Sequence, residues 1–241
     1  MATDPTETRD LSDKHPEVLA ELKDLWEKEA WANQVFPLDE GTGLKNIARP
    51  QWEEELEQTF SFLPDTPTVE RYRSLKLINS RSFKIVISLD YKKGDEGILV
   101  AHGDQGGGYS IYIEDGQLFH VHNGYGVMSE TSCGELKEGV SEISLDIEAS
   151  GDLNWQAKVY VDQTMVAETS DLPVLTAMAP FEGIDIGIDR RSPVSWSVYE
   201  RHGTFPYKGV LNSVTYFPGE LAPDAGTRWV DLLRESGVKY E

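Results

Sequence analysis

Basic residues are scarce in this chain of 241 residues: 22 Lys and Arg stand against 42 Asp and Glu, a formal net charge of −20. Such a surface repels phosphate backbones and anionic lipid, so neither nucleic acid nor a membrane is an expected partner. Cysteine is nearly absent as well. The single Cys133 has no second thiol to pair with, so no internal disulfide is expected and the redox compartment stays open. Long apolar runs are missing. Ile98 to Ala101 and Pro173 to Pro180 fall far short of the roughly 18–20 residues that cross a bilayer. Residues Met1 to Asp10 are polar and acidic, with no basic n-region or apolar h-region, so no signal peptide is expected. As it stands the chain is expected in the cytoplasm, although a longer parent with a leader would be exported.

What the chain has is length enough for a core, since at this size folding hides roughly 70–75% of the unfolded surface. From Leu11 onward Val18, Leu19, Leu22, Leu25, Trp26 and Ala30 recur at steps of three and four, the period of an amphipathic helix. Ser12 and Asp13 are candidate caps, and Pro16 suits the first turn, where its missing N–H costs nothing. Pro37 and the Gly41-Thr42-Gly43 run then break the pattern, so residues 37–57 read as a linker.

Beyond about residue 56 the period changes to two. Candidate strands are Gln58–Leu63, Tyr72–Ile78, Phe83–Asp90, Gly97–His102, Tyr109–Glu114, Gln117–Asn123, Glu142–Ala149, Gln156–Asp162, Thr164–Glu168, Ile184–Asp189 and Gly209–Phe217. Short strands punctuated by Gly, Pro, Asp and Asn predict a mainly β fold, an antiparallel β-sandwich of jelly-roll or concanavalin-like type over 58–241, with the amphipathic helix before it. The tail around Trp229 to Gly237 reads as a short closing helix.

Several motifs imitate sites. Gly106-Gly107-Gly108 leads into Tyr109-Ser110-Ile111-Tyr112-Ile113, with no Lys and with β alternation, so a phosphate-binding loop is excluded on context. Asp115-Gly116 separates two alternating runs and reads as a two-residue hairpin turn. His120 and His122, two apart, share one face of a strand, a geometry used for zinc; His102 and Asp104 on a neighbouring strand are candidate further ligands. The alternative is that the histidines pack on a sheet face. Cys133 has no nearby histidine or basic cluster to lower its pKa, so a nucleophilic role is not expected. A hydrolase gathering His102, His120, His122 and a carboxylate is the weakest alternative. Trp155, Trp196, Tyr125, Tyr199 and Tyr207 supply aromatic surface; Trp155, Trp196 and Tyr125 are the candidates for stacking on a ligand such as a sugar.

The run Asp4-Pro5-Thr6-Glu7-Thr8-Arg9-Asp10-Leu11, followed by His15-Pro16-Glu17 and the helix through Trp26, resembles the D-P-x-E-x-x-[ND]-L motif near the end of the sulfatase catalytic region. Val35-Phe36-Pro37-Leu38-Asp39, Asn79-Ser80-Arg81-Ser82-Phe83, Glu96 to Gly103, Gly107 to Tyr112 with Asp115 to Leu118, Ser192-Pro193-Val194 with Tyr199, and Phe205 to Val214 resemble, in order, the β-rich C-terminal region of bacterial arylsulfatases. The L-Y-[DN]-L strand that precedes the first motif in that family is missing. So is [CS]-x-P-x-R, whose Cys or Ser becomes formylglycine; Cys133-Gly134-Glu135-Leu136-Lys137 does not match it.

The resemblance implies a C-terminal, non-catalytic part of an arylsulfatase-like sulfuric ester hydrolase: residues 1–36 a helical remnant of the catalytic region, 58–241 an accessory domain that supports it or shapes the substrate cleft. No family catalytic residue maps onto this chain, so no activity is expected of it alone. Calcium and formylglycine are expected only in the absent catalytic region, with no cofactor in this chain. Leu22, Leu25 and Trp26 are the expected interdomain contact; the parent's catalytic domain is the expected partner, with a homo-oligomer as a further one. The alternative function is a carbohydrate-binding β-sandwich module.

Overall fold

A strand that alternates apolar and polar residues buries one face, and a strand apolar throughout must be covered on both. Both kinds occur here. The computed structural model describes residues 8, 10–33, 35, 55–175 and 180–226, and the chain divides into two compact units, Met1–Arg49 and Pro50–Glu241. The division falls inside the expected linker, most of which lies outside the described residues, as does the expected closing helix at the C-terminus.

In the first unit α1 runs Pro16–Ala32 with Pro16 in its first turn. Its N-cap is His15, not Ser12 or Asp13, and no side chain caps it. The apolar stripe Leu22, Leu25 and Trp26 is exposed, and Ala30 is the helix's buried residue.

The second unit is an antiparallel sandwich, mainly β as the spacing predicts. After β1 (Phe60–Phe62) comes a short helix, α2 (Arg71–Ser74), and a 3-10 turn at Leu75–Leu77. The predicted strand Tyr72–Ile78 is therefore helical: Ser74 and Leu77, three apart, are both fully buried, the spacing of a helical face rather than of a strand. The remaining strands are β2 (Arg81–Asp90), β3 (Gly97–Asp104), β4 (Gly107–Glu114), β5 (Gln117–Gly124), β6 (Val127–Glu135), β7 (Glu142–Gly151), β8 (Asn154–Val161), β9 (Thr164–Pro173), β10 (Ile184–Ile186) and β11 (Val210–Leu221); α3 (Trp196–His202) precedes the last. One sheet has the order β1-β11-β2-β7-β8-β9, the other β10-β3-β4-β5-β6.

Inward side chains of both sheets form the main core, with Ile85, Ile87, Leu89, Ile111, Leu145 and Tyr216 fully buried. Trp155 meets Phe83 edge-on at 5.3 Å inside it. A second cluster lies on the outer face of the five-stranded sheet, where Ile98, Ala101, Tyr112 and Val121 are covered by Val194, Val198 and Phe205. A bulge in β3 serves both clusters. Ile98 pairs with Tyr112 and Val100 with Ile111, leaving Leu99 as the extra residue in the main core.

The glycine-rich stretch is now explained. Asp115 and Gly116 both have positive φ, 51° and 77°, as a two-residue hairpin turn with the favoured twist requires. At Gly108 a Cβ would stand 2.5 Å from the His102 carbonyl oxygen, so the strands approach there at a spacing only glycine permits.

Candidate functional site

Of the predicted ligand aromatics, Trp155 is core. It is 1% exposed on the inner face of β8, because its position in the alternation, paired across to Ala149 and Leu172, points into the sandwich. It cannot offer a ring face to a ligand. Trp196 and Tyr125 are 50% and 45% exposed.

The histidines also face inward, and do not converge. His102 pairs across to Tyr109 and Tyr109 to His122, so a tyrosine strand separates the two imidazoles by about 10 Å. His102 is used up locally: Nδ1 lies 3.0 Å from Tyr109 Oη and Nε2 3.1 Å from Ser74 Oγ, and Tyr109 Oη donates on to Tyr216 Oη at 3.2 Å. His122 Nε2 bonds to the Pro173 carbonyl at 2.9 Å, and its ring meets Trp155 edge-on at 5.9 Å. Burial lowers all three imidazoles from the ordinary 6.5, His102 and His120 to about 3 and His122 to about 4, so they are neutral packing groups. Among the described residues no group of three His, Cys, Asp or Glu side chains is arranged to hold a metal ion. The expected zinc geometry is corrected accordingly, with Asp104 bonded elsewhere. Burial also pushes the Cys133 thiol up to about 11, which keeps it an unreactive thiol.

The residues with no inward duty gather at one end of the five-stranded sheet, where four loops meet on buried polar hubs. Asn123 Nδ2 donates to the carbonyls of Asp104, Gln105 and Val194, each at 3.1 Å, while Asn123 Oδ1 accepts from Gly126 N at 2.8 Å. Asp104 Oδ1 accepts from Gly106 N, and its Oδ2 from Phe181 N and Glu182 N at 2.9 and 2.7 Å. Asp189 Oδ2 accepts from Val194 N at 2.9 Å, and burial, with Asp185, Glu182 and Asp104 nearby, raises its carboxyl to about 7. Buried backbone donors must find acceptors, and these three side chains supply them to loops that otherwise share no ladder.

On this frame stand Tyr125 in the β5–β6 turn, Phe181 with the Arg71 guanidinium 4.8 Å over its ring, and Trp196 in the first turn of α3. Trp196 stacks on Tyr199 one turn later, centroids 5.4 Å apart and planes 27° from parallel. Helix α3 is fixed at both ends. Ser195 caps Val198 N, and near its C-terminus Arg201 forks onto Glu114, Nε to Oε1 and Nη2 to Oε2 both at 3.0 Å, with His202 on the same carboxylate. An indole and a phenol held this rigidly lose little freedom when a flat, partly apolar ligand settles on them.

The opposite end of the same sheet differs. There a cleft of about 700 Å³ is walled by Glu96, Asp115, Glu135 and Glu138 with Lys93 and Lys137, and its one aromatic, Tyr91, is buried.

Sequence reasoning missed α3, β6 and the three hubs. The helix had a signal: Ser195 ahead of it and Gly203, at φ 67°, behind it are the start and stop residues of a short capped helix. The hubs had none, because a buried Asn or Asp looks like any turn residue until its partners are known.

No family model matches the chain, and no curated protein matches it. Among solved structures it is similar to the CBM40 of the Ruminococcus gnavus IT-sialidase bound to α2,3-sialyllactose, with 11% identity over 69% of this chain and 92% of that one and a TM-score of 0.44. It is also similar to the galectin LEC-6 of Caenorhabditis elegans, at 11% identity over 68% and 97% with a TM-score of 0.37. A heptameric SAP-like pentraxin of Limulus polyphemus shows 12% identity over 66% and 74%, with a TM-score of 0.36.

Proposed function

We infer that the sandwich is a carbohydrate-binding module whose ligand stacks at the loop end of the five-stranded sheet. The observation that supports this is the stacked Trp196–Tyr199 pair, with Trp196 exposed and Tyr199 half-buried beneath it, on a helix pinned by Ser195 and Glu114. A sugar ring presents C–H groups to an aromatic face and hydroxyls to its rim, and side-chain polar groups of this acidic surface complement hydroxyls better than carboxylates. Neutral glycans are thus the preferred class.

The test is a glycan array read with the whole chain, followed by calorimetry on the strongest hits. Sialyllactose, the ligand of the R. gnavus CBM40, serves as the anionic member of the panel. Trp196→Ala should lower affinity about tenfold, an amount in keeping with one lost aromatic stack. Tyr125→Ala should lower it less. An array without neutral hits, or hits indifferent to Trp196→Ala, would remove the reading.

We propose, second, that the chain serves as an accessory region of an arylsulfatase-like protein. The exposure of Leu22 and Leu25 along α1 favours this, since an amphipathic helix of this length is marginal without something to pack on. The catalytic domain of such a sulfatase, supplied in trans, should co-elute with the chain, and Leu22→Asp with Leu25→Asp should abolish co-elution. Turnover of an aryl sulfate by the chain alone would contradict an accessory role.

A further inference from the structure

An open cleft of about 360 Å³ lies apart from the aromatic loop end, walled by Ile186, Pro206 and Leu211 on its apolar side and by Asp65, Arg190 and Tyr207 on its polar side. One of the polar groups holds unused hydrogen-bonding capacity. Arg190 gives its backbone N–H and Nη1 to Asp185 at 2.8 and 3.0 Å, which leaves Nε and Nη2 without an acceptor among the described residues, on a side chain one-third exposed. Tyr207 lines the cleft with its ring, while its Oη is buried, has no hydrogen-bond partner among the described residues, and lies with the Asp95 carboxylate around Gly209, away from solvent.

We propose that this cleft is a second binding site, one that takes a neutral polyhydroxylated ring or chain, a saccharide or a polyol. The free donors of Arg190 and the acceptor oxygens of Asp65 complement hydroxyls, which both donate and accept. A carboxylate or sulfate gains nothing, because Asp185 already neutralises the guanidinium and Asp65 adds a further negative charge. Pro206 and Leu211 offer a surface for C–H groups. The volume lies at the small end of the range for ligand clefts and suits one or two rings. The site does not depend on the aromatic loop end for any of its groups.

The experiment is a titration of the isotopically labelled full chain by NMR, with glucose, glycerol and glucuronate as probes. Glucose at millimolar concentration should shift the amides of Gly187, Ile188 and Gly209, with the Trp196 indole reporting the other site separately. Arg190→Lys keeps the charge opposite Asp185 and loses the fork, so the fold should stand while affinity falls about fivefold. Tyr207→Phe removes a buried oxygen that the cleft does not reach and serves as the control, with affinity unchanged. Shifts confined to Trp196, unchanged affinity in Arg190→Lys, or a preference for glucuronate would each overturn the assignment. A silent titration at all three amides would overturn it too.

Discussion

The two sheets bury their inner faces alike and treat their outer faces differently. Along β2 of the six-stranded sheet buried and half-buried residues alternate, with Lys84, Val86 and Ser88 turned outward and Lys84 Nζ 3.2 Å from Asp146 on the next strand. Along β3 and β4 of the five-stranded sheet nearly every residue is buried, because Val194, Val198 and Phe205 roof the outer face. One sheet meets water directly. The other meets it through a helix and four loops, and that added layer carries the exposed Tyr125, Phe181 and Trp196, against Phe217 on the strands of the first sheet. The layer exists because a strand text such as Gly97-Ile98-Leu99-Val100-Ala101 is apolar on both sides and needs a cover.

The largest effect that would sharpen this contrast is acid. The five-stranded sheet carries His102, His120 and His122 inward, neutral in the fold with pKa values of about 3, 3 and 4 against 6.5 when exposed. Their contribution is complete above pH 6.5 and is lost as pH falls below it, since the unfolded chain takes up the protons. Asp189 runs the other way: at about 7 folded against 3.8 unfolded, it favours the fold at low pH and ceases to as pH rises through 7. Between about pH 6 and 4 the three outweigh the one by roughly two protons, so stability should fall by about 3 kcal/mol per pH unit. Urea midpoints at pH 7, 6 and 5 measure it, and a flat profile would contradict the burial of these imidazoles.

Breaking the roof comes next. Val198→Asp places a charge in the outer cluster and should cost about 3 kcal/mol in urea unfolding, together with the Trp196–Tyr199 stack, while the inner core still folds. Glu114→Gln weakens the fork to Arg201 and should cost about 1 kcal/mol, with earlier hydrogen exchange in α3 than in β4. At the other sheet Val86→Thr should change stability by no more than about 0.5 kcal/mol. If Val86→Thr were as damaging as Val198→Asp, the two outer faces would not differ as described.

Legibility in the sequence cuts across this divide. β2, β7 and β8 of one sheet and β3, β4 and β5 of the other match the expected strands to within two residues at each end, the first set because one wet face writes a period of two into the text, the second because short apolar runs are bounded by Gly, Asp and Asn turns. β6 was missed: its residues Val127 to Glu135 lie at an edge and mix exposed apolar with polar positions, so neither face is marked. The aromatics show the limit most plainly. Trp155 and Trp196 are the same residue type, and what separates core from surface is the phase of β8 in one case and a seven-residue helix in the other. His120 and His122 were correctly set on one face of a strand, but which face depended on β6 and α3. The loop hubs Asn123, Asp104 and Asp189 acquire meaning only through carbonyls and amides far away in the chain.

The extra residue in β3 makes that strand a matter of counting rather than of composition. Ile98 belongs to the outer cluster, Leu99 and Val100 to the main core, and the switch of side happens within three aliphatic residues that look interchangeable. Deleting Leu99 would restore strict alternation, leaving Ile98 outward and Val100 inward but taking a large side chain from the main core, while one further inserted residue would turn one of these side chains to the wrong face. Homologous chains should therefore vary freely among Ile, Leu and Val at these positions and resist any insertion or deletion between Gly97 and Ala101.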